Sequence, residues 1–160
     1  MIDLGWSAPK RPVDAGAARR SILQQHEWIR AVLDRGGAAA NARLEGAASG
    51  ESVAAAITEL RSAMIAHLAF EESTLVPILR DDLPLGPQRA DRLLDEHARQ
   101  RQMLDALLDE ARSQPHLGTL ATKLAFLTDW LYADMLEEER SLLDPDVIRD
   151  DLVVIDQTCG

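Results

Sequence analysis

The sequence predicts an all-α fold, an antiparallel up-down bundle of four helices. Three observations carry that reading. Four segments repeat apolar residues at three- and four-residue spacing, short stretches containing glycine or proline separate them, and alanine, leucine, glutamate and arginine dominate between the breaks. Helices joined by short connections pack antiparallel, and four with one apolar stripe each close a bundle.

The first helix is expected from about Ala17 to Leu33, with Ile22, Leu23, Ile29, Val32 and Leu33 on one side and a stop at Gly36-Gly37. The small residues that follow, through Gly46 and Gly50, suit either a loop or more helix. Ser49 or Ser52 suits the N-cap of the second helix, whose stripe is Val53, Ile57, Leu60, Met64, Leu68 and Leu75. Pro77 is expected to end or kink it. After the turn from Asp81, Pro87 stands in the first turn of the third helix, with Leu93, Leu94, Leu104, Leu107, Leu108 and Ala111 inward. Gln114 to Gly118 breaks the chain again. Thr119 is the expected cap of the fourth helix, whose stripe is Leu120, Leu124, Leu127, Leu131, Met135 and Leu142, with Pro145 closing it. Residues 1–16, with Trp6, Pro9 and Pro12, read as an irregular arm. Residues 146–160, with the run Leu152 to Ile155, read as a tail tucked on the bundle. All 160 residues then form one domain.

Charge and cysteine content narrow the function. With 27 acidic residues against 17 basic ones the formal net charge is −10, and no dense basic run prepares a nucleic-acid partner. Cys159 is the only cysteine, which leaves no disulfide framework or cysteine-rich zinc site within one chain. The N-terminus lacks the basic and apolar regions of a signal peptide, and no run reaches the roughly 20 apolar residues of a membrane span. A cytoplasmic protein with no membrane or nucleic-acid partner is the expectation.

The informative residues interrupt the stripes. His26 lies four after Ile22 and three before Ile29. His67 follows Met64 by three, and Glu71 follows His67 by four. His97 follows Leu94 by three, with Arg101 four further on. Asp134 comes three after Leu131, and Glu138 four after Asp134. All four helices thus aim ionisable groups inward at comparable depth, which costs several kcal/mol per charge unless they pair or bind metal (roughly). Residues four apart share a helix face, so His67/Glu71 and Asp134/Glu138 are two-ligand clips. The chain also echoes itself. His67 to Leu75 aligns with Asp134 to Leu142, pairing Glu71 with Glu138 and Glu72 with Glu139, while His26 and Arg30 align with His97 and Arg101. Two similar helical hairpins related by a pseudo-twofold would bring both sets to the centre.

Over Ser21 to Pro145 this order of residues resembles the hemerythrin, or HHE cation-binding, family. The resemblance implies a hemerythrin-like bundle around a non-haem di-iron centre bridged by two carboxylates, in proteins that bind dioxygen or respond to iron, oxygen or nitric oxide. It implies His26 and His67 on one iron, Glu71 and Glu138 as bridges, and His97 on the other iron. Two positions depart from the oxygen carriers: Arg101 stands where the third helix has a second histidine, and Asp134 where the fourth has one. The set of three histidines and three carboxylates leaves one or two ions, or zinc or manganese in place of iron, all open. Arg101 reads as an ion partner that could bridge Asp134 and Glu138 in place of a lost metal, or as a surface residue. The expected function is metal binding that meets a small oxidant such as dioxygen, peroxide or nitric oxide. The alternative is a metal-free degenerate bundle acting as a regulatory or interaction module. Glu72, Glu139, Asp95 and Glu96 read as solvated or as outer partners of the histidines, His116 as an exposed turn residue, and Trp28, Trp130 and Tyr132 as packing.

Overall fold

Asp14 opens the first helix by accepting a hydrogen bond from the Ala17 N–H at 3.0 Å. The structure, a computed structural model, describes residues 14–82, 85–114 and 118–148. Among them run four helices, α1 (Ala15–Leu44), α2 (Gly50–Asp82), α3 (Gly86–Ser113) and α4 (Thr119–Ser141), with no strand. Most of the N-terminal arm, His116, the Leu152–Ile155 run and Cys159 lie outside the described residues.

Three expected boundaries move. Helix α1 does not stop at Gly36-Gly37 but continues to Leu44. A glycine ends a helix where the chain turns left-handed, and that glycine is Gly46, at φ 77°, beside which the Ala47 and Ala48 N–H groups both reach the Ala42 carbonyl. Gly36 serves contact instead: a Cβ there would lie 3.0 Å from Thr128 Cγ2 of α4. Helix α2 passes through Pro77 to Asp82, because Leu75, Val76, Ile78 and Leu79 around the proline are all buried and hold the last turns in place. Thr119 is the first residue of α4 rather than its cap. Gly118 occupies the cap position with no side-chain hydrogen bond. By contrast, Ser49 caps α2, its Oγ 3.3 Å from the Ser52 nitrogen, and Pro87 sits in the first turn of α3.

Helix α1 packs on α2 and α4, and α2 on α3, while α3 and α4 touch much less. The stripes meet inside much as expected, although Leu143 rather than Leu142 is fully buried beyond α4, and Trp28 is 53% exposed rather than packed. The apolar interior falls into two clusters. The larger joins Ile29 and Val32 with Ile57, Leu60, Leu104, Leu124 and Leu131. The smaller joins Ile22, Leu75, Leu79, Leu93, Leu143 and Ile148 at the other end. A layer of polar side chains from all four helices lies between them. Helix α2 is long and apolar enough by composition to cross a membrane, with a mean hydropathy of 1.3 over its most apolar window, although no unbroken apolar run in it approaches the length of a span. A core helix meets the same criterion, and Ile57, Leu60 and Leu79 of α2 are each 0% exposed within the bundle.

Candidate metal centre

The polar layer is built around Glu71. Its position four residues after His67 stacks the two side chains on the inward face of α2, with His67 Nε2 3.2 Å from Glu71 Oε1. His26 Nε2 approaches the same oxygen from α1 at 3.5 Å, and His97 Nε2 approaches Oε2 from α3 at 3.2 Å. Glu138 of α4 completes the ring, its Oε2 3.7 Å from His26 Nε2. Glu71 and His26 are 0% exposed, His97 2% and His67 4%. Ligand-capable atoms of His26, His67, Glu71 and Glu138 all lie within 4.8 Å of one another.

The outward nitrogens decide what the inward ones offer. His26 Nδ1 lies 2.8 Å from Glu139 Oε1, His67 Nδ1 3.1 Å from Gln25 Oε1, and His97 Nδ1 3.1 Å from Glu72 Oε1. Each of those oxygens is an acceptor, so each Nδ1 donates, and in its neutral form each imidazole would turn an Nε2 lone pair to the centre. There the lone pairs meet carboxylate oxygens, acceptors facing acceptors. Among the buried atoms with no hydrogen-bond partner are His26 Nε2, both oxygens of Glu71 and Glu138 Oε1. Such an arrangement requires a cation or added protons between the groups. A void of about 20 Å³ lined by His67, Glu71, His97, Asp134 and Glu138 has room for one. The donor set of imidazole and carboxylate fits a first-row transition ion.

Electrostatics without metal follow from the same geometry. Burial would raise Glu71, but His26, His67 and His97, each able to donate through Nε2 once an added proton makes it an imidazolium, outweigh it and hold the carboxyl well below the ordinary range. Glu138 goes the other way: burial, then the negative charges of Glu71 and Asp134, push it well above. Asp134 is raised by burial and by Glu96, with His97 opposing. Glu72 is lowered, since hydrogen bonds from Arg101 and His97 overcome its burial.

The pseudo-twofold of the sequence is present in three dimensions. Arg30 Nη2 binds Glu139 Oε1 at 2.6 Å on one side, and Arg101 Nη1 binds Glu72 Oε1 at 2.6 Å on the other. Each arginine stands four residues after a histidine and steadies the carboxylate that holds it. Arg101 therefore does not bridge Asp134 and Glu138. Its position four after His97 points it across to α2, where Glu72 takes the guanidinium. The symmetry fails at Asp134, where an aspartate replaces the counterpart of His67. It is partly buried and receives Gln100 Nε2 at 2.6 Å. Sequence reasoning missed Gln100, which is 4% exposed; its place three residues after His97 was the only signal. Because α3 and α4 stand apart, a cavity of about 450 Å³ lined by Arg89, Arg92, Glu96, His97, Asp134 and Glu138 opens onto this side.

Residues 18–144, most of the chain, match the Hemerythrin HHE cation binding domain. The chain belongs to the hemerythrin HHE family. No curated protein and no solved structure matches it. Membership in a cation-binding family and a buried His/Glu cluster agree on metal binding as the general property of this hemerythrin-like bundle.

Proposed function

We propose that this hemerythrin-family chain holds non-haem iron, as one or two ions, and meets a small oxidant such as dioxygen, peroxide or nitric oxide. One observation carries the reading: three buried imidazoles anchored by Nδ1 present Nε2 to Glu71, whose two oxygens, like Glu138 Oε1 beside them, are buried without a hydrogen-bond partner. His26, His67, Glu71 and Glu138 would hold one ion. His97 and Asp134, sharing the two glutamates, would hold the second. Bound iron supplies one-electron chemistry and open coordination positions. The chain's own residues orient the imidazoles through Glu139, Gln25 and Glu72, exclude bulk water with the apolar clusters on either side, and leave the α3–α4 cavity as the approach for a small molecule. A cytoplasmic setting, with no nucleic acid or membrane partner, suits the net charge of −10.

The metal-free alternative loses its best support, because Arg101 lies on Glu72 and leaves Asp134 and Glu138 without a cation from that residue. Elemental analysis after aerobic iron loading tests the proposal. The wild type should retain iron and show charge-transfer absorption, and the double variant His67→Ala with Glu71→Ala should lose both. Zinc or manganese retained in place of iron would correct the metal. An empty wild type, or a double variant with unchanged metal, would refute the site.

A further inference from the structure

The rule that picks out the metal centre picks out one more residue. Among the described residues the buried, unpartnered side-chain atoms are His26 Nε2, the two Glu71 oxygens, Glu138 Oε1 and Gln100 Oε1. All but the last belong to the ligand set above. Gln100 is 4% exposed, and its side chain lines the same central void as Glu71, His97 and Asp134. Its amide orientation is dictated by its neighbour. A carboxylate only accepts, so the Nε2 end faces Asp134 Oδ2 at 2.6 Å, and Oε1 is left as a buried acceptor without a donor. Residues three apart on a helix share a face, so His97 and Gln100 project inward together while Arg101 turns out to Glu72.

We propose that Gln100 is a ligand of the second ion, its amide oxygen joining His97 and Asp134. This rests on the metal-centre reading above and extends its donor set. An amide oxygen is a neutral, hard donor. With an aspartate and a glutamine on this side, the His97 half is oxygen-rich and the His26/His67 half nitrogen-rich. The two halves therefore differ in metal preference, the first favouring ions such as manganese(II) that suit carbonyl and carboxylate donors.

The test uses the full chain, stripped of metal and titrated separately with cobalt(II) and manganese(II). Stoichiometry and affinity are read by equilibrium dialysis, and the cobalt ligand field by absorption. Wild type should take two ions, the second with a distinct cobalt spectrum. Gln100→Leu, close in volume but without the amide, should keep the first ion, weaken the second at least tenfold, and change only the second spectrum. Gln100→Glu, which keeps an oxygen but cannot donate to Asp134, should hold the second ion. Its failure to the level of Gln100→Leu would show that the amide only positions Asp134, and would overturn the ligand assignment. Two ions bound to Gln100→Leu with wild-type affinity and spectrum would overturn it too, while leaving the metal centre intact. A wild type that takes one ion refutes the second site, and one that takes none refutes the metal reading as well. Circular dichroism of each metal-free variant separates loss of a ligand from loss of the fold.

Discussion

Glu71 and Glu138 are chemically identical side chains held in one site and driven in opposite directions. Three imidazoles face Glu71, whereas Glu138 faces mainly other carboxylates. In the metal-free fold Glu138 keeps a proton that the unfolded chain releases above the ordinary value of 4.5. A folded state that binds the extra proton loses stability as pH rises. Glu71, lowered, has the opposite sign: its contribution is present above the ordinary carboxylate value and fades as pH falls through its folded one. Denaturant unfolding of the stripped protein between pH 5 and 8 should therefore show a falling contribution that Glu138→Gln removes, with a ceiling of about 1.4 kcal/mol per pH unit for a single proton. Parallel profiles for the two proteins would mean Glu138 is ionised in the fold. The histidines and these glutamates were legible because each interrupts an apolar stripe at helical spacing. Gln100 was not, because a glutamine among Arg99, Arg101 and Gln102 has the look of a solvated face, and only the partner on α4 shows otherwise. Arg101 was legible as an ion partner, but the sequence does not say which of several inward carboxylates it meets.

Glycines separate what the helices need from what they tolerate. Gly37 lies inside α1, and a Cβ there would meet Thr128 Oγ1 at 3.8 Å, an ordinary contact. Gly37→Ala should stabilise the bundle by about 0.5–1 kcal/mol through helix propensity alone. Gly86 opens α3 directly after Leu85, which holds a left-handed φ of 59°, and a Cβ on it would fall 1.7 Å from the Leu79 carbonyl oxygen. Gly86→Ala must displace the backbone where α2 hands over to α3, and should cost at least about 3 kcal/mol, the range of severe backbone conflicts. Thermal unfolding of the pair checks both signs, and equal behaviour would contradict the helix–helix spacing described. Helix number, order and inward stripes were readable from periodicity. The boundaries at Gly36, Pro77 and Thr119 were not, since local propensity yields to packing: Thr128 sits over Gly36, and buried Ile78 and Leu79 carry α2 past its proline.

At the scale of the molecule, the polar layer divides the apolar interior into a larger cluster and a smaller one. The smaller contains the start of α1, the end of α2, the start of α3 and the segment after α4, with Ala15 and Ile148 both in it. Across the layer, cohesion passes through side chains that in the metal-free state oppose one another. Hydrogen exchange should accordingly show the amides around Leu75, Leu79 and Leu93 losing protection on metal removal far more than those around Ile57 and Leu124. Uniform loss would show that the two clusters unfold as one. The two-hairpin echo announced the meeting of charges at the centre. The division of the core went unread, because each stripe seemed continuous along its own helix. An ion at this level acts as a rivet through a laminated beam, and withdrawing it frees one end of the beam first. Opening of that end exposes the start of α1 and the segment after α4 to proteolysis. The abundance of this protein would then follow its metal supply, with the empty chain cleared from its loosened end while the filled chain persists.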